Sequence, residues 1–122
     1  MSIVAKRIYA QPTAADGYRV LVDRLWPRGL SRAIADIDLW LRDVAPSTAL
    51  RQWYAHDVAR WPEFKEQYRQ ELDSHGELLD LLLDIERQHG TVTLLYAARD
   101  EVHNEAVVLA NELQRRPPHS HS

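Results

Sequence analysis

Residues 91–97, Thr91-Val92-Thr93-Leu94-Leu95-Tyr96-Ala97, decide the fold. The stretch is rich in β-branched and aromatic residues, which favour a strand. It is apolar at consecutive positions, not alternate ones. A strand of that kind is covered on both faces, as in the interior of a parallel sheet. On its N-terminal side, Glu77 to His89 place Leu78, Leu79, Leu81, Leu82 and Ile85 on one wide helical face, and Gly90 is the expected stop. On its C-terminal side, 98–102 reads as a loop. A last helix then runs from His103 to about Arg115, with Ala106, Val107, Ala110 and Leu113 turned inward.

Further out, the same reasoning gives an α/β chain. Ile3 to Tyr9 reads as a first strand and Tyr18 to Leu25 as a second, whose centre Val20-Leu21-Val22 is again continuously apolar. The link between them, QPTAADG, is short and polar. It suits a turn in which Gly17 takes positive φ, and it leaves open a hairpin at one edge. Trp26-Pro27-Arg28-Gly29 breaks the second strand. Ser31 caps a short helical turn through Ile34, and the alternation Ile37, Leu39, Leu41 within 37–44 favours a short strand. Ser47 opens a helix to about Ala55. From Pro62 to about Ser74, Trp61, Phe64, Tyr68 and Leu72 fall at three- and four-residue steps and form one apolar stripe. Helices standing between strands predict a small, mostly parallel sheet of about four strands with helices packed on it. Residues 1–116 form the single domain and 117–122 a disordered polar tail.

Composition narrows the chemistry. The 122 residues amount to one domain and include no cysteine, which excludes disulfides, thiolate nucleophiles and thiolate metal sites. No apolar run reaches about 18 residues, so a membrane span is not expected. MSIVAKRIYA lacks the long apolar core of a signal peptide, which makes the cytoplasm the expected location. Formal net charge is −3, against the basic surplus of a duplex-DNA binder. There is no phosphate loop, dinucleotide fingerprint or Gly-x-Ser-x-Gly elbow, and no cofactor is implied. His56, Asp57 and His103 are the residue types of a metal site. Without a His-x-x-x-His pair, however, no metal is expected.

What remains is a grouping of polar residues at two strand ends. In open α/β sheets, ligands sit beyond the carboxyl ends of strands. The second strand delivers Asp23, Arg24, Trp26 and Arg28. The last delivers Tyr96, Arg99, Asp100, His103 and Asn104. Arg24, Arg28 and Arg99 suit an anion, and the start of the last helix adds oriented N–H groups. His103 or Asn104 can cap that helix. Each residue also has a plain structural role open to it. Asp23 can pair with Arg24 or Arg99, His103 can be only a cap, and the tryptophans suit core or cover better than a ligand platform.

The runs VDRLWPRGLSR, LWLRDVAPSTALRQWYAHD, RWPEFKEQYRQEL and VTLLYAARDEVHNEAVVL, in that order, resemble the YeaO-like branch of the domain of unknown function 488 family. The resemblance runs from about Val4 to Leu113. The family's other branch has an Asp-x-Arg strand end near the position of Asp23, where here Arg24 follows at once. It also has a Cys-His-Arg strand end whose histidine matches His103. Asn104 stands for the arginine, and the cysteine is absent, so a thiol mechanism does not carry over. The resemblance supports a common cleft and names no reaction.

Three functions follow as expectations. The first is an arginine-rich cleft binding a small anionic ligand, phosphate-like or nucleotide-like, with Trp26 or Tyr96 against a ring. The second is a hydrolase or transferase on an anionic substrate, with His103 or Asp100 as general base. The third is a protein-interaction module. Asp23, Arg24, Trp26, Arg28, Tyr96, Arg99 and Asn104 are the expected ligand-binding residues, and Arg24, Arg28, Arg99 and His103 are expected to converge.

Overall fold

In the computed structural model, which describes residues 2–116, four strands form one parallel sheet. They are β1 (Ser2–Arg7), β2 (Tyr18–Leu21), β3 (Leu39–Trp40) and β4 (Thr91–Tyr96), in the spatial order β1-β4-β2-β3. The tail expected at 117–122 lies outside the described residues. β4 is internal, as its two apolar faces require. Ser2 to Arg7 pair along its whole length on one side, and Tyr18 to Leu21 pair with Val92 to Leu95 on the other. Val92, Thr93, Leu94 and Leu95 are completely buried.

The first two strands do not make the hairpin that their short link left open. They flank β4 and both run parallel to it. Residues 8–17 instead return along the sheet and include a 3-10 turn at Ala14–Asp16. Asp16 anchors the return: its carboxylate binds Lys6 Nζ at 2.8 Å and Arg19 Nη1 at 2.5 Å, and its carbonyl accepts from Thr93 Oγ1 at 2.6 Å. Gly17 has φ 62°, and a Cβ there would lie 2.4 Å from the carbonyl oxygen of Thr91. A side chain is therefore excluded on both conformational and steric grounds.

The helices are α1 (Arg32–Ala35), α2 (Thr48–Tyr54), α3 (Trp61–Asp73), α4 (Gly76–His89) and α5 (Glu105–Arg115). Their N-terminal signals work as the residue types dictate. The hydroxyls of Ser31 and Ser47 accept from the N–H groups of Ile34 and Leu50, and Asn104 accepts from Val107. Gly90, with φ 86°, ends α4. The two sheet faces are covered differently. Ile3, Val20, Val92, Leu94 and Tyr96 belong to the main core with residues of α2 to α5, including Phe64, Tyr68 and Leu72 of the stripe on α3. Ile8, Leu21, Ala35 and Leu95 form a smaller core roofed by Trp26, Leu30, Ile37 and Trp40. Among the described residues no helix is long and apolar enough to cross a membrane.

β2 ends sooner than its sequence suggests. The Val22 N–H still bonds to the Leu95 carbonyl at 3.1 Å, but Asp23 and Arg24 leave the sheet. The chain leaving β2 goes to the smaller core through Trp26, and the chain leaving β4 goes to the main core through α5. The adjacent ends of β2 and β4 thus diverge to opposite faces, which opens a crevice between them.

A candidate ligand cleft at the diverging strand ends

The crevice is a cleft of about 630 Å³, a size suited to a small organic ligand. β2 and the segment after it contribute Asp23, Arg24, Trp26 and Arg28. α2 and the turn that follows contribute Arg51, Tyr54 and His56. The end of β4 and the start of α5 contribute Ala97, His103, Asn104 and Glu105.

Asp23 closes the inner end. Its Oδ2 accepts from the Ala97 N–H at 2.9 Å and so ties the two diverging chains together. The Trp40 Nε1–H donates to its carbonyl at 2.7 Å, which fixes its backbone from the far side. Arg24 is also held: Nε donates to the Pro46 carbonyl at 3.3 Å and Nη2 to the Ala45 carbonyl at 3.2 Å. Arg28 and Arg51 are exposed and line the cleft. Their guanidiniums make no hydrogen bond or ion pair with any described residue.

Glu105, at the first position of α5, escaped the sequence reading. An acidic residue after an asparagine cap looks like an ordinary complement to the helix dipole. Here its carboxyl lies within hydrogen-bonding reach of Asp23. Part of the residue is accessible, but the carboxyl itself is desolvated. Burial, followed by the charge and hydrogen bond of Asp23, raises its pKa well above the usual 4.5, against its own N–H and the positive charge of Arg51. Desolvation and the adjacent Asp23 carboxylate thus both favour the neutral form of Glu105. Arg51 was missed as well, and His56 was read only as the residue type of a metal site. Arg51 reads as the solvated side of a short helix. His56 reaches the cleft only because it and Ala55 take left-handed backbone, with φ 59° and 47°.

Of the residues expected at a site, the structure brings Asp23, Arg24, Trp26, Arg28, His103 and Asn104 to the cleft and leaves Tyr96, Arg99 and Asp100 off its lining. The expected convergence of Arg99 with Arg24 does not occur. The chain turns outward after Ala98, and Arg99 is exposed elsewhere. Tyr96 is buried beneath the site. Burial raises its hydroxyl pKa, against a hydrogen bond with Asn104. Asn104 is itself consumed by structure: Oδ1 caps α5 and Nδ2 donates to the Asp100 carbonyl at 2.9 Å. Asp100 shapes the turn. Its Oδ1 accepts from the N–H groups of His103 and Val102, each at 2.9 Å, and Oδ2 meets His103 Nδ1 at 2.8 Å. The His103 N–H, then that of Val102, then the imidazole hold its pKa at about 2. Trp26 has Arg32 over one face at 4.5 Å and packs edge-on against Trp40 at 5.4 Å, and its Nε1–H donates to Leu30. Among the described residues no three His, Asp or Glu side chains gather to hold a metal ion, so His56, Asp57 and His103 do not form a metal cage.

The chain belongs to the family described as the inactive DUF488-N3 subclade, whose model matches residues 2–121. Its relatives include the uncharacterized protein YeaO of Escherichia coli (strain K12), which is 41% identical over 114 residues, covering 93% of this chain and 98% of that one. The uncharacterized protein Rv3073c of Mycobacterium tuberculosis is 39% identical over 110 residues, 90% of this chain and 92% of its own. No solved structure gives a significant match.

Proposed function

We propose that this protein is a binding module for a small anionic ligand, phosphate-like or nucleotide-like, held in the cleft between the ends of β2 and β4. One observation carries the reading. Arg28 and Arg51 line the same cleft and make no hydrogen bond or close ion pair with any described residue, and Arg24 donates to two backbone carbonyls. Three guanidiniums face two carboxyls, and the pKa of one of these, Glu105, is raised, so the cleft favours negative charge. Arginine forks suit carboxylate or phosphate oxygens.

Turnover has less support. Asp100 is fully ionised and spent on backbone N–H groups, which makes it a weak proton acceptor. Its contact with Nδ1 orients the His103 ring, and this and the raised pKa of Glu105 are the features on the side of catalysis. The family's description as an inactive subclade also favours binding.

The test is thermal unfolding at low ionic strength with inorganic phosphate and with nucleotides. A ligand specific to the folded state stabilises it by roughly 2.7 kcal/mol at a hundredfold excess over its Kd. The expected result is a rise in Tm for the wild-type chain and none for the Arg28→Met, Arg51→Met double variant. An unchanged Tm with every anion, or an equal rise in the double variant, rejects the reading.

A further inference from the structure

Carboxylates are the natural partners of arginines, yet the cleft keeps the two apart. Arg24 is fixed by the Ala45 and Pro46 carbonyls. Neither Arg28 nor Arg51 forms an ion pair with Asp23 or Glu105. Asp23 spends Oδ2 on the Ala97 N–H, and Glu105 has its own N–H and Asp23 within hydrogen-bonding reach, with Arg51 acting only through its charge. The cleft is thus lined both by guanidiniums and by two carboxyls with acceptor capacity left over.

We propose that the Asp23–Glu105 pair recognises hydroxyl groups, so that the ligand of this cleft is a phosphorylated polyol and not a bare anion. The proposal rests on the anion reading above and specifies the rest of the ligand. Two carboxyls side by side in the cleft lining present several acceptor lone pairs. A hydroxyl is a donor and satisfies such acceptors. A second anionic group would be repelled there. An ammonium ligand would suit the carboxyls but would meet the three guanidiniums. A polyol bearing one phosphate satisfies both sets of groups: phosphate oxygens at Arg28 and Arg51, hydroxyls at Asp23 and Glu105. The cleft volume of about 630 Å³ accommodates a ligand of that size.

The experiment is calorimetric titration at neutral pH and low salt with inorganic phosphate, ribose 5-phosphate and free ribose. The wild-type chain is expected to bind ribose 5-phosphate about tenfold or more tightly than phosphate, the effect of one or two hydrogen bonds to charged groups. In Glu105→Ala that ratio is expected to fall to about one. Equal affinities for phosphate and ribose 5-phosphate in the wild type overturn this proposal and leave the anion reading standing. No binding of either overturns both. A ratio that survives in Glu105→Ala also overturns it, because the hydroxyls are then read elsewhere. Should Glu105→Ala not fold, Glu105→Leu makes the same comparison, and a ratio that survives in it overturns the proposal equally.

Discussion

Glu105 stands one residue past the Asn104 cap, where a negative charge is ordinarily welcome. Its surroundings reverse that preference, because desolvation and the neighbouring Asp23 outweigh the helix N-terminus. A carboxyl whose folded pKa is raised stabilises the fold fully below its unfolded value near 4.5. That contribution is lost as pH rises through the folded value. Replacing it by a neutral isostere removes the penalty. Thermal unfolding of Glu105→Gln should therefore show a Tm above wild type, with a larger gain at pH 8 than at pH 5. A gain that does not vary with pH would mean that Glu105 ionises normally and that the pair is not coupled. Arg99 teaches the opposite lesson about single residues. Its position after a strand suggested a ligand contact, but Arg99 is exposed and absent from the cleft lining.

At the scale of elements, α3 is where sequence periodicity and packing agree most closely. Phe64, Tyr68 and Leu72 are buried as their spacing implies, and Trp61, at the head of the stripe, is half-buried. Phe64 stacks on Tyr54 at 4.4 Å and 25° and on Trp61 at 5.5 Å and 21°, which joins α3 to α2 at one wall of the cleft. Ser47 adds a polar joint between the same helices: its N–H and hydroxyl donate to the two carboxylate oxygens of Glu71 at 2.8 and 2.6 Å. Truncating a buried aromatic leaves a cavity that rigid neighbours fill poorly. Phe64→Ala should cost roughly 3–5 kcal/mol in denaturant unfolding. A cost below about 1 kcal/mol would place the stripe outside the core. The element least legible in sequence is the link between β1 and β2. Its length allowed a hairpin, and nothing local announced that Asp16 would hold it against the sheet.

For the whole molecule, Asp16 is the residue on which the parallel topology leans. It joins β1 through Lys6, β2 through Arg19 and β4 through Thr93. Burial alone would raise its pKa, but hydrogen bonds from Lys6, Thr13 and Arg19 hold it at about 2. A depressed carboxyl contributes stability above its unfolded value of 3.8, and this is lost as pH falls through about 2. The difference corresponds to about 2 kcal/mol at neutral pH. Asp16→Asn should lose at least about that much at pH 7, since Lys6 and buried Arg19 also lose their counter-ion. It should also show a flatter decline in stability between pH 4 and pH 2 than wild type. Parallel acid limbs in the two proteins would assign the acid sensitivity to other carboxylates.

Local pattern was enough for the helices, their caps, the internal place of β4 and the parallel character of the sheet, because each depends on residues within a few positions of one another. Continuous burial in TVTLLYA leaves no solvent-facing side, and serine, asparagine and glycine act on the turn they occupy. The cleft divided along the same line. Asp23, Arg24, Arg28 and His103 were visible as polar residues just past strands. Arg51, His56 and Glu105 were not, because their meaning depends on partners brought close only by the crossing of chains. The pairing of Glu105 with Asp23 joins residues 82 positions apart. Desolvation, which shifts its proton, is a property of everything packed around it. No stretch of sequence carries that information. It arises when β2 and β4 lie side by side and their chains depart to opposite faces of the sheet.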